Sequence, residues 1–423
     1  MTYLMTLVGK AIMLALRLLG RKGSALPGLV IEKTYPHYLT VMLQRIPRGV
    51  IVVTGTNGKT TTTKIIKALL ESQGLRVLSN STGSNFVRGI MATIAREASV
   101  WGKLPYDIAV FEQDEAHAVH FVKQHQPIGV VALNVTRDQM DRFGEIDTTA
   151  KLIGKVVAAA QDWVVLNAND PRVAALAQDA DKRHVTWFGH TEKLQHLFPS
   201  DDQLHAEKTE FYEAATPDVC LTATQGEKVD ITVQGNEYKL TTKLDGTHNA
   251  LNIAAALAAF VAQLPEGDIA TAAGAIESLE PPFGRGETVT FKNGATVRLQ
   301  LVKNPAGFRR SLEVVQHGSY DVIGIAINDD YADGRDVSWL WDVDFTTLKD
   351  APIATGGTRS ADMALRLKYD DVVTADVIPS LEKFLDHLGQ PGTQAIIFCT
   401  YTAMLRARAL LKKEDKTLAK DGV

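Results

Sequence analysis

A chain of 423 residues with 45% hydrophobic and 22% charged residues has ordinary globular proportions and enough length for two or three domains. Its net charge of −4 gives nucleic acid no electrostatic purchase, so no nucleic-acid partner is expected. Cys220 and Cys399 are too few for a disulfide framework or a four-thiolate zinc site, and such sparing use fits a reducing cytoplasm.

Residues 1–20 are rich in apolar side chains (Leu4, Met5, Leu7, Val8, Ile12, Met13, Leu14), but Lys10 and Arg17 interrupt them. The uncharged runs are too short to span a bilayer, and no small-residue cleavage site follows. Two readings stand. One is a leading helix packed on the next domain. The other is a basic amphipathic helix resting at a membrane surface, which Arg17, Arg21 and Lys22 favour. Residues 1–45 are taken as an N-terminal helical segment.

Residues 50–63 read VIVVTGTNGKTTTT. Val50 to Val53 form the apolar run of a strand covered on both faces. Gly55 and Gly58 permit a turn tight enough to aim backbone N–H groups at an anion. Thr56, Asn57 and Thr61 complete the cradle. Lys59 adds a point charge for the β- and γ-phosphates, and Thr60 places a hydroxyl where Mg²⁺ would sit. Ile65, Ile66, Leu69 and Leu70 then recur at helical spacing, so a helix N-terminus faces the phosphates. The common P-loop has its first glycine where Val53 stands, which makes GTNGKT a compact variant. The segment predicts binding of a nucleoside triphosphate with Mg²⁺.

Strand candidates follow at 76–78, 107–111, 128–133 and 163–166, with helical patterns between them, such as 150–160. This alternation predicts an α/β fold with a parallel sheet covered by helices. Ligands of such sheets gather at the carboxyl ends of the strands, where Glu112, Asn134 and Asn167 fall. Glu112 is expected to hold Mg²⁺ opposite Thr60, and Asp114 and Glu115 serve either the metal or a helix N-terminus. Asp170-Pro171 has the form of a helix opening. Residues 191–245 are polar, with strand candidates at 228–233 and 237–242, and predict a small antiparallel excursion. Asn249 and Asn252 share one face of the next helix, where two amides suit adenine or ribose. Pro281-Pro282 and Gly284 read as a hinge, and GRGE at 284–287 sits at it, where Arg285 closes on the nucleotide. The central domain is taken as 46–287.

From residue 288 a second, smaller α/β series begins, with strand candidates at 295–302, 322–327, 351–354 and 395–399. NDDYADGRD at 328–336 packs Asp329, Asp330, Asp333 and Asp336 into one loop. Trp339 and Trp341 follow, and aromatic anchors beside a charged loop predict a contact surface.

Taken together, GTNGKTTT, Glu112, NVTRDQMD, NANDP, HNALN and GRGE resemble the Mur ligase family. RDQMDRFGEID, KNPAGF, ADGRDVSWLWDVDF and GTRSADMALRLK narrow the resemblance to the MurT-like ligase subunits of lipid II isoglutaminyl synthases, over about residues 20–405. It implies a Mur-ligase-like central domain and a C-terminal ligase domain at 288–423. It also implies ATP-dependent amidation of the D-glutamate α-carboxylate of the lipid II stem peptide through an acyl phosphate. The ammonia would come from a glutamine amidotransferase subunit (GatD-like) in a heterodimer. Asp336 matches the family's aspartate that completes the partner's Cys-His pair. A stand-alone Mur- or folylpolyglutamate-type amino-acid ligase is the alternative, against which ADGRDVSW would have no role. Two departures stand out. Relatives often carry a four-cysteine zinc ribbon in the middle domain, whereas residues 191–245 hold only Cys220, so no zinc is expected. Gln139 stands where tripeptide-adding Mur ligases have histidine.

Overall fold

The computed structural model describes residues 1–19, 25–80, 86–136, 146–181, 183–198, 211–244, 246–280 and 285–411. Contacts divide the chain into two compact units, one ending at Glu280 and the other beginning at Pro281.

The first unit starts with three helices, α1 (Thr2–Leu18), α2 (Leu26–Thr34) and α3 (Tyr38–Leu43). Strand and helix then alternate: β1 (Val50–Thr54), α4 (Lys59–Ser72), β2 (Val77–Ser79), α5 (Val87–Glu97), β3 (Ile108–Glu112), α6 (Glu115–Gln124), β4 (Gly129–Ala132), α7 (Ile146–Val157), β5 (Trp163–Asn167), α8 (Pro171–Ala175) and β6 (His184–His190). Three strands follow, β7 (Val219–Gln225), β8 (Lys228–Val233) and β9 (Asn236–Thr241), before α9 (Thr247–Gln263) and α10 (Ile269–Glu277).

All nine strands join one sheet in the order β2-β3-β1-β4-β5-β6-β7-β8-β9. β1 lies between β3 and β4, parallel to both, with Val53 opposite Glu112 and Val131. Alternation along β1 feeds two cores. Ile51 and Val53 pack on one face with Ile65, Leu69, Ile253 and Phe260. Val50 and Val52 pack on the other with Phe111, Phe121, Ile31, Tyr38 and Met42. Period-two alternation of buried side chains is what a strand covered on both faces requires.

The leading helices pack on the domain that follows: α1–α3 close the same core as β1. Within 191–245 the two expected antiparallel strands are present as β8 and β9. β7 pairs parallel with β6, and β8 and β9 extend the sheet by antiparallel hairpins turning at Gly226 and Gly235, both at positive φ (58° and 84°). Pairing on a sheet edge satisfies the backbone groups that an isolated pair of hairpins would leave to solvent.

The second unit contains β10 (Arg285–Thr290), β11 (Thr296–Leu301), α11 (Pro305–His317), β12 (Val322–Ala326), β13 (Ile353–Gly356), α12 (Ser360–Tyr369), β14 (Thr374–Ile378), α13 (Leu381–Leu388), β15 (Gln394–Cys399) and α14 (Tyr401–Leu411). Its sheet runs β10-β11-β15-β12-β13-β14, parallel except for the β10–β11 hairpin. Arg285–Glu287 lies in β10, the contact boundary falls at 280/281, and the hinge expected at Pro281-Pro282 and Gly284 lies outside the described residues.

Candidate active site

β1 runs out at Thr54 into a turn that only glycine accommodates at two points. Gly55 has φ +124°, and a Cβ there would stand 3.0 Å from both the backbone N and O of Asn134. Gly58 has φ +88° and closes the turn as the N-cap of α4, which begins without a side-chain cap. A Cβ on Gly58 would meet Asn252 Oδ1 at 2.3 Å, so Asn252 lies against the loop, far away in sequence. Asn252 Nδ2 donates to Asn249 Oδ1 at 3.1 Å, which joins the two amides at the start of α9. The paired asparagines of the sequence thus meet the glycine turn.

Lys59 is buried. Its Nζ donates to the carbonyl oxygens of Gly55 and Thr56 and lies 3.5 Å from Glu115 Oε1. The sequence left Glu115 between metal and helix cap; the structure makes it the counter-ion of Lys59. A buried cation held this way is prepositioned, with its charge balanced by a buried carboxylate.

Glu112 ends β3 beside the strand that enters the loop. Its backbone is clamped by Asn80, whose Nδ2 donates to Glu112 O (2.9 Å) and whose Oδ1 accepts from Glu112 N (3.0 Å). Glu112 Oε2 is buried with no hydrogen-bond partner among the described residues. An orphaned buried carboxylate oxygen is costly unless a cation or donor completes it. Glu112 and the Thr60 hydroxyl, in the first turn of α4, fit Mg²⁺, which takes few protein carboxylates and completes its shell with phosphate and water oxygens. Thr54 Oγ1, Thr62 Oγ1 and both amide atoms of Gln113 are likewise buried without partners. Unsatisfied polar atoms thus gather around this loop.

A strap holds the turn from behind. Asn57 N donates to Asn134 Oδ1 (2.9 Å), Asn134 Nδ2 to Asn57 O (3.0 Å), and Asn57 Nδ2 to Thr136 Oγ1 (3.0 Å). Thr56 N donates to Asn134 O at 3.0 Å and Thr136 N to Thr56 Oγ1 at 3.1 Å. Asp170 anchors the strap in turn. Its Oδ1 accepts from Arg172 N and Val173 N, capping α8, and its Oδ2 accepts from Val135 N at 2.9 Å. Burial lifts the Asp170 carboxyl above the usual carboxylate range, against these three donors, which lower it. Asp170-Pro171 does open a helix, and the same carboxylate reaches back to the loop's support. Asp170→Ala is expected to cost about 2 kcal/mol of stability by orphaning these donors. It should also weaken nucleotide affinity; denaturant midpoints and nucleotide titration check the two effects. Unchanged affinity alongside the stability loss would uncouple strap from loop. Asp138, Gln139 and the remainder of 137–145 lie outside the described residues.

In the second unit the four aspartates of 328–336 separate. Asp329 pairs with Arg359 (2.9 Å) and Asp330 with Arg406 (2.7 Å). Asp333 is buried and accepts from Thr402 N and Oγ1; burial lifts its carboxyl, and Thr402 opposes the lift. Asp336 is half-buried, and among the described residues only its Oδ1 is engaged, by Ser338 N at 2.8 Å. Three of the four therefore serve the loop's own structure, and Asp336 keeps an oxygen available. Trp339 is core, packed near Phe308, and is not a surface anchor. Trp341 is exposed, edge-on to Tyr369 with the Arg366 guanidinium 5.4 Å from its centroid. Arg285 opens β10, and its side chain lies outside the described residues.

A buried strand, a glycine turn with lysine and threonine, a helix N-terminus and a buried acid on the neighbouring strand define the class of P-loop nucleotide-binding α/β proteins. Residues 53–260 match the Mur ligase middle domain and residues 301–404 match the MurT ligase C-terminal family. The chain is 30% identical to the lipid II isoglutaminyl synthase (glutamine-hydrolysing) subunit MurT of Staphylococcus aureus, over 89% of this chain and 90% of the relative. It is 31% identical to the MurT subunit of Streptococcus pneumoniae, over 97% of each. In fold it is similar to MurF from Acinetobacter baumannii, with a TM-score of 0.69 and 18% identity over 91% of this chain and 81% of that one. The chain belongs to the MurT group of the Mur ligase family and is a ligase.

Proposed function

We propose that the chain is the amidating subunit of a two-part enzyme acting on lipid II. ATP phosphorylates the α-carboxylate of D-glutamate in the stem peptide, releasing ADP. Ammonia attacks the acyl phosphate, the C–O bond to phosphate breaks, and D-isoglutamine and inorganic phosphate leave. A carboxylate is a poor electrophile, and phosphorylation supplies the leaving group. The ammonia comes from glutamine hydrolysed by a glutaminase partner of the GatD type. The observation that carries this reading is the likeness to MurT subunits along nearly the full length of both chains.

In this reading Lys59 and the backbone N–H groups of Gly55–Thr61 bear on the β- and γ-phosphates, stabilising charge on the transferring phosphoryl group. Glu112 and Thr60 hold Mg²⁺, which when bound neutralises phosphate charge. Asn249 and Asn252 contact the adenosine part. Asp336 orients the histidine of the partner's Cys-His pair, the third member of a nucleophilic triad. Among the described residues no helix is long and apolar enough to cross a membrane. We read the chain as cytoplasmic, working at the inner face of the membrane that carries its substrate.

The deciding experiment supplies lipid II, ATP and Mg²⁺ to the purified chain. Amidation with ammonium salt alone, and with glutamine only after the second subunit is added, is the expected result. Incorporation of an amino acid in place of ammonia would transfer the assignment to a stand-alone ligase.

A further inference from the structure

α1 carries two apolar stripes, and the fold uses only one. Its inner stripe is docked tightly. Met5, Thr6 and Gly9 are buried, and a Cβ on Gly9 would come within 2.9 Å of both Ala95 and Ile31. Thr6 Oγ1 and Tyr38 OH share a hydrogen bond of 2.8 Å, and Lys10 Nζ donates to Arg96 O at 2.7 Å. These contacts fix which face looks outward. That face holds Tyr3, Leu4, Leu7, Ala11, Leu14 and Leu18, at the three- and four-residue spacing of one helical side, and all are exposed. Leu14 is 59% and Leu18 80% exposed.

A second element joins it. Ser99–Lys103 is a closed turn: Ser99 N donates to Lys103 O, Gly102 N to Ser99 O, and Lys103 N to Ser99 Oγ. Its tip presents Val100 and Trp101, the latter 78% exposed. Arg45 ties the turn to α1, donating from Nη1 to Gly102 O (2.7 Å) and from Nη2 to Thr2 Oγ1 (3.2 Å). The tryptophan is thus fixed beside the start of the leucine stripe.

The N-terminal sequence is rich in cations. Lys10, Arg17, Arg21 and Lys22 precede the first acidic residue of the chain, Glu32, although the whole chain is net negative. Lys103 adds an exposed cation at the turn. Glu97 is engaged by Arg96 Nε and Tyr106 OH, both at 2.8 Å. A leucine face flanked by cations, with tryptophan and tyrosine at one end, matches the interface of an anionic bilayer in both polarity and charge.

We infer that the outer face of α1 and the Val100–Trp101 turn together form a platform that docks the protein on an anionic lipid surface. This deepens the amidation reading and rests on it for its purpose, since a lipid-linked substrate is met at a bilayer. Its test does not depend on catalysis.

The full chain is sedimented with vesicles of phosphatidylcholine plus phosphatidylglycerol, and with phosphatidylcholine alone. Binding to the anionic vesicles, weaker on the neutral ones and reduced by salt, is expected. Leu7→Asp with Leu14→Asp should lower the bound fraction at least about tenfold. Trp101→Ala should lower it by itself, and it covers the case in which the double variant folds poorly. Circular dichroism and nucleotide titration of the same samples are expected to be unchanged. Failure of the wild type to bind anionic vesicles, or binding undiminished in both variants, overturns the platform. So does a wild-type dimer that the double variant converts to monomer without any vesicle binding, because a second copy then covers the face. Loss of nucleotide binding in the wild type would sink the catalytic reading and leave the vesicle result standing.

Discussion

Lys59→Ala is expected to slow ATP-dependent amidation by about a hundred- to thousandfold, the cost of removing one preorganised charge from a transition state. The reason lies in how the side chain is held. Two loop carbonyls and Glu115 hold the buried ammonium beside the glycine turn, where a cation stabilises charge developing on the phosphoryl group. The same contacts imply a structural cost, because the variant leaves Glu115 buried without its cation. Single-turnover phosphoryl transfer should therefore be read beside thermal unfolding. A variant that unfolds like wild type and turns over like wild type would remove Lys59 from the chemistry. Glu115→Gln should lie between the two, keeping the shape while removing the counter-charge.

Asp336→Asn should abolish glutamine-driven amidation, by about a thousandfold or more, while ammonia-driven amidation persists. Asparagine keeps an oxygen to accept from Ser338 N, so the turn beginning at Ser338 should survive the change. What is lost is the negative charge that would orient a partner histidine. The comparison needs both nitrogen sources on one preparation of the two-subunit enzyme. An equal fall with glutamine and with ammonia would return Asp336 to this chain's own reaction. Asp333 makes a useful contrast, because its carboxylate is committed to Thr402. Asp333→Asn should disturb folding of the second unit and affect both nitrogen sources alike.

Much of the fold is legible because buried parallel strands are apolar runs. β1, β3, β4 and β5 are such runs, as are β12 and β15, and each ends within about two residues of its expected position. The strands that escape notice have mixed faces. β6 reads HVTWFGH and β14 reads TADVI, an edge strand with exposed side chains, so neither shows the continuous pattern. The glycine turn, Lys59, Thr60 and Glu112 are legible because their spacing follows the chain locally. Their supports are not. Asn80 follows a three-residue strand, and Glu115 stands 56 residues from the lysine it faces. The two ends of the Asp170–Val135 bond come from different strand ends. Such pairings exist only once the strand order is known. Trp339 shows the converse error: a tryptophan beside a charged loop reads as surface, and only packing assigns it to the core.

The two hairpins at the margin of the large sheet have an engineering consequence. At Gly226 and Gly235 no heavy atom lies within 4 Å of where a side chain would begin, and the strands on either side are already paired. These tips are natural ports for splicing in an epitope or a fluorescent reporter, since a graft there lengthens a loop instead of invading a layer. They also show where a lineage can gain or shed an ornament without retuning its catalytic heart.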